Sequence, residues 1–178
     1  FGHYFDPKLL GYASLRVLNQ EVLAPGASFQ PRTYPKVDIV NLILEGEAEY
    51  RDSEGNHIQA KAGEVLLLAT QPGISYSEHN ISKDKPLTRM QLWLDACPQR
   101  ENTCVQKATL SAGKHQLLAS PDGEQGSLHL RQQVWVHHVE LQQGESLSFQ
   151  LHGPRAYLQS IHGRFHAVTA GAEKEALT

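Results

Sequence analysis

Turn-forming residues recur so closely along the first hundred positions that no long helix fits between them, and this spacing constrains the fold more than any other feature. Pro25-Gly26, Glu45-Gly46, Asp52-Ser53-Glu54-Gly55-Asn56, Ala62-Gly63 and Gln71-Pro72-Gly73 supply the preset or positive φ that tight turns require. Between them lie strand-type stretches at 13–23, 37–44, 47–51, 65–69, 75–79 and 87–94. In the last of these Met90, Leu92 and Leu94 alternate with Arg89, Gln91 and Trp93, the period of a strand. The rhythm predicts an all-β sandwich or barrel. From Asp95 to Ala108 the pattern lapses into a polar, aperiodic run that reads as a linker, and strands are expected again at 127–131, 134–141, 156–162 and 165–169. The last residues, 171–178, read as a short helical turn or a frayed end.

The second run echoes the first. Leu23-x-x-Gly26-x-Ser28 recurs as Leu141-x-x-Gly144-x-Ser146, and the turn at Gly46 recurs at Gly163, with nearly equal spacings. Duplication explains this better than chance alignment of glycines. It predicts a first barrel over 1–95, a linker over 96–109 and a second barrel over 110–178. The counterpart of the Gly63 turn would fall near position 180, so the second barrel is expected to be incomplete in this chain.

Composition narrows the function classes. A net charge of −3 on 178 residues is too balanced for a nucleic-acid footprint, and no apolar run approaches the roughly 20 residues of a membrane helix. Neither nucleic acid nor membrane is therefore expected as a partner. Two cysteines, Cys97 and Cys104, cannot form a disulfide framework and fit a reducing, cytoplasmic compartment. In the expected linker they are candidate redox thiols, or two inert ones.

The segments 26–46 and 63–80 carry the frame of the two cupin motifs: Gly26, five residues, Arg32-Thr33-Tyr34, Asp38 and Gly46, then Gly63, Pro72-Gly73, Tyr76, Glu78 and Asn80. With these, Phe1-Gly2-His3-Tyr4-Phe5-Asp6-Pro7, the run from Gly11 to Asn19, Leu44-Glu45-Gly46, Asp52-Ser53-x-Gly55-Asn56 and Gly73-Ile74-x-x-Ser77-Glu78-His79-Asn80 make the chain resemble the pirin family. The resemblance implies a bicupin, two jelly-roll β-barrel (cupin) domains. It also implies a site that, in metal-binding pirins, holds iron through three His and one Glu, and in several members opens a flavonol ring with dioxygen, the quercetinase reaction.

Carried over position by position, that ligand set falls on Arg32, Tyr34, Tyr76 and Glu78. Three of the four ligands are replaced. A strand aims every second side chain at the same face, so 32 with 34 and 76 with 78 are expected to share one pocket. Arg offers no lone pair and a fixed positive charge, and a Tyr phenol is a poor ligand, which leaves Glu78 alone. No metal and no cofactor are expected. Arg32 either pairs with Glu78 in the role of the missing metal or lies solvated on the rim.

Other residues read as structural. His137 and His138 are adjacent on a strand and point to opposite faces, His162 and His166 read as a surface pair, and His79 lies on the face opposite Glu78. Trp93 and Trp135 are expected to pack. Three functions stay open: a metal-free, cytosolic binding or stress-responsive module with an unknown small-molecule or protein partner; small-anion binding or metal-independent chemistry in the old pocket; and a residual metal-dependent oxygenase.

Overall fold

A computed structural model describes residues 14–100, 104–148, 150–152 and 156–167. The N-terminal motif residues up to Ala13, residues 101–103 and the last residues, 171–178, read as a helical turn or a frayed end, lie outside the described residues. The chain divides into two compact units, Phe1–Gln143 and Gly144–Thr178.

In the first unit, β1 (Leu15–Leu23), β3 (Val37–Glu45), β6 (Glu64–Ala69), β8 (Leu87–Asp95) and β9 (Val105–Thr109) form a five-stranded sheet of order β1-β8-β3-β6-β9. A four-stranded sheet of order β2-β7-β4-β5 comprises β2 (Ser28–Thr33), β4 (Glu47–Asp52), β5 (His57–Lys61) and β7 (Ser75–Asn80). All pairings in these two sheets are antiparallel. A three-stranded sheet, β11-β10-β12, comprises β10 (His115–Ser120), β11 (Leu128–His129) and β12 (Val136–Val139).

The five-stranded sheet is covered on both faces, which is why β3 and β6 read as nearly unbroken apolar runs. Val37, Ile39, Ile43, Leu66 and Leu68 pack with Ala48, Tyr50, Ala60 and Tyr76 of the four-stranded sheet. The alternate residues Val40, Leu42, Val65, Leu67, Met90 and Leu94 pack with Leu118, Ala119, Leu128 and Leu130. The fold is all-β, as the turn spacing predicts. Several strands escape the sequence reading: β2 is exposed throughout and holds Pro31, β5 alternates but is only five residues long, β10 lacks clean alternation, and β9 lies within the stretch expected to be linker.

The second unit differs from expectation. Its described residues form no strand, so 156–162 and 165–167 are irregular where strands were expected; residues 168–169 lie outside the description. Gly144 and Gly163 both have positive φ, 82° and 79°, like Gly26 and Gly46 at 69° and 85°. His162 and His166 are both exposed.

Asp38, counted in the cupin frame, does not face the pocket. Parity on β3 sends it with Val40 and Leu42 to the other side, where it is fully buried. There Arg131 donates to Asp38 through its backbone amide and through Nε at 2.8 Å, while its Nη2 donates to the carbonyls of Val37 at 2.9 Å and Thr70 at 2.8 Å. This pair pins the segment after β11 to the middle strand of the five-stranded sheet. Asp38→Ala leaves a buried guanidinium without its counter-charge and is expected to destabilise the protein by about 3–5 kcal/mol in urea unfolding; a loss below about 1 kcal/mol would contradict this account of the packing. Gly46 turns β3 into β4 with φ +85°, and a Cβ there would collide with the Pro86 carbonyl. Gly46→Ala is expected to lower the urea midpoint.

Candidate functional site

The four positions expected to share a face do so. Arg32, Tyr34, Tyr76 and Glu78 line one recess with Phe29, Ile39, Tyr50, Leu68, Ser77, Arg89 and Gln91. Arg32 of β2 stands directly opposite Tyr76 of β7, and Tyr50 of β4 stands opposite Glu78. A bulge between Phe29 and Arg32 adjusts the register of the β2 edge.

The partner of Glu78 is not Arg32. Arg89 Nε donates to Glu78 Oε2 at 2.7 Å, and the Tyr50 hydroxyl donates to the same oxygen. Arg89 lies on β8, opposite Glu21 of β1, and its Nη2 donates to Glu21 Oε2 at 3.0 Å. The guanidinium is thus held between two carboxylates and bridges the two sheets. Arg32 is exposed and donates from Nε to the Tyr34 hydroxyl at 3.0 Å, its guanidinium 5.4 Å from the centre of the Tyr34 ring. Of the two alternatives for Arg32, the rim position is the one found, and Glu78 is paired by Arg89 instead.

The electrostatics follow from this arrangement. Burial acts to lower the Arg89 pKa, but the hydrogen bond and charge of Glu78, backed by Tyr50 and Glu21, raise it above its ordinary value, so the group is a permanent cation. Burial, then the charge of Glu78, raises the Tyr50 phenol well above its usual range. Tyr76 is raised by burial and, less, by Asp52 and Glu54. Beside them Trp93 Nε1 donates to Gln91 Oε1 and Gln91 Nε2 donates to Asn41 Oδ1, each at 2.8 Å. The Tyr34 ring meets Trp93 edge-on at 5.2 Å and lies 6.2 Å from Tyr76.

This donor set does not fit a divalent cation. Two guanidinium groups face the recess, and Glu78 already accepts from Arg89 and Tyr50. Among the described residues no group of three or more His, Cys, Asp or Glu converges as a metal site would. Elsewhere, His115 Nε2 lies 2.8 Å from His137 Nδ1 across β10 and β12, and His79 Nε2 lies 2.9 Å from Ser77 Oγ, so His79 joins no ligand set with Glu78. Cys97 is half-buried and Cys104 exposed, and both are free thiols. Trp135 is partly buried, with Nε1 donating to Glu124 Oε1 at 3.1 Å. Sequence reasoning missed Arg89 and Tyr50. The only signal was the polar alternation Arg89-Gln91-Trp93, which reads equally well as a solvated face.

A jelly-roll barrel whose recess opens between alternate residues of β2 and β7 defines a cupin, and the family comparisons agree. The Pirin family model matches residues 1–94, and a model described as the quercetinase C-terminal cupin domain matches residues 117–174. The chain belongs to the pirin family of bicupins. It is 80% identical over 178 residues, all of this chain and 76% of the relative, to the pirin-like protein YhaK of Escherichia coli K12. The crystal structure of that protein covers 100% of this chain, which spans 78% of it, with a TM-score of 0.89. The chain is also 32% identical over 172 residues, 92% of its length and 71% of the relative, to a quercetin 2,3-dioxygenase of Escherichia coli K12. The Escherichia coli bacterial pirin YhhW in complex with nickel(II) shares 31% identity over 77% of this chain and 59% of that one, with a TM-score of 0.71. No helix among the described residues is long and apolar enough to cross a membrane.

The Tyr50 hydroxyl yields a pH prediction. A phenol held neutral in the folded state contributes stability that is fully present below the ordinary value of about 10 and is lost as pH rises from there through the raised folded value. Tyr50→Phe is expected to cost about 1–3 kcal/mol at neutral pH, by leaving Glu78 short of a donor, and to flatten the loss of stability above pH ~10. Urea unfolding of both proteins from pH 7 to 11 checks it; parallel curves would remove Tyr50 from the account.

Proposed function

We propose that this pirin-family bicupin is a metal-free binding module and not a metal-dependent dioxygenase. One observation carries the reading: Glu78, the remaining residue of ordinary ligand type in the set implied by the pirin resemblance, is engaged by the Arg89 guanidinium and the Tyr50 hydroxyl. A cation bound at Glu78 would have to displace a permanent positive charge from a low-dielectric site. Arg32 at the mouth adds a second charge of the same sign. The relatives named for quercetin dioxygenase activity and for nickel binding are 32% and 31% identical to this chain, far enough for a shared barrel to carry different side chains in the recess.

In this reading the protein works in the cytoplasm on a small molecule, and the thiols of Cys97 and Cys104 are a separate, oxidant-responsive element. A preformed concavity at the mouth of a β-barrel is where small ligands bind. The decisive experiment is metal analysis by plasma mass spectrometry on protein expressed with added iron and purified without chelators. Substoichiometric amounts of every transition metal are expected; about one equivalent per chain would overturn the reading and return the dioxygenase to the front.

A further inference from the structure

The recess over Glu78 has unmet hydrogen-bonding capacity on its floor and at its mouth. Glu78 Oε1 and Arg89 Nη1 are buried without a partner, on side chains 7% and 2% exposed. Buried groups in this state normally find protein, water or ligand partners. At the mouth, Arg32 uses Nε on Tyr34, leaving both terminal amino groups available. The walls between are the rings of Phe29, Tyr34 and Tyr76.

Each alternative occupant meets an obstacle. A cation faces two guanidinium groups. A wholly apolar molecule would leave Glu78 Oε1 and Arg89 Nη1 buried and unpaired. A bare inorganic anion suits Arg32 but offers no donor to Glu78. An alcohol or phenol hydroxyl is donor and acceptor at once, so it suits both unpartnered atoms on the floor. A carboxylate suits the fork of Arg32 at the mouth. An aromatic ring suits the walls.

We infer that the recess binds a small hydroxylated aromatic carboxylate, its hydroxyl on Glu78 and Arg89, its ring among Phe29, Tyr34 and Tyr76, and its carboxylate on Arg32. The inference rests on the metal-free reading and names the ligand class for that site. The enclosed space is only about 10 Å³, room for about one water. Entry therefore requires Arg32 to swing off the Tyr34 ring. As an exposed side chain it can do so without disturbing the core.

Titration calorimetry with 4-hydroxybenzoate, benzoate and phenol tests this. Saturable binding of 4-hydroxybenzoate is expected, about tenfold or more tighter than either analogue, because each lacks one of the two polar anchors. Arg32→Gln, a change at an exposed position, is expected to weaken 4-hydroxybenzoate about tenfold and leave phenol unchanged. The inference is overturned if no saturable heat appears, as for a recess that holds only a water, if either analogue binds as tightly as 4-hydroxybenzoate, or if Arg32→Gln leaves its affinity unchanged. Metal analysis of the same sample separates the two failures. Bound metal overturns the metal-free reading, whereas metal-free protein that ignores the ligand overturns only the ligand class.

Discussion

The ion pair between Arg89 and Glu78 is the interaction on which the first barrel's recess depends. It joins β8 of the five-stranded sheet to β7 of the four-stranded sheet and fixes Tyr50 and Glu21 around a single buried cation. A buried pair of this kind gains little over a well-packed apolar substitute, yet removing one partner strands the other as an uncompensated charge. The cation that balances the buried Glu78 is covalently part of the chain.

The second buried pair, Asp38 with Arg131, uses the opposite face of the same strand. Residues 37, 39, 41 and 43 of β3 look toward the recess and its core, while 38, 40 and 42 look toward the layer formed with the three-stranded sheet. A one-residue slip of β3 would exchange these sets and bring Asp38 to the recess side. The two buried pairs therefore mark the two faces of the central sheet, and both carry an arginine whose remaining Nη1 has no partner.

The candidate site was legible where it depended on local geometry and illegible where it depended on contacts between sheets. Alternation along a strand is enough to place Arg32 with Tyr34 and Tyr76 with Glu78 on one face. It says nothing about which of the chain's arginines reaches Glu78, because Arg89 arrives from the other sheet and its strand pattern, polar residues between Met90, Leu92 and Leu94, is what a half-solvated strand also shows. Gln91 was missed for the same reason, and Tyr50 because its place opposite Glu78 depends on the register of β4 against β7. Among the strands, β3, β6 and β8 announce themselves by apolar runs or alternation, whereas β2 is exposed along its whole length and exists because its backbone pairs with β7. The region 156–167 shows the converse: strand-type composition without strand structure in the described residues.

By itself the sequence determined the all-β class, through the density of residues that accept turn conformations, and, through period-two spacing, which of the residues at 32, 34, 76 and 78 share a face. Only the tertiary structure decided that Arg89, not Arg32, neutralises Glu78, that Asp38 faces away from the recess, and that Arg32 stays at its mouth, bonded to Tyr34. The physical reason is that strand alternation is a property of one segment, whereas the partner of a buried charge is set by which sheet packs against which.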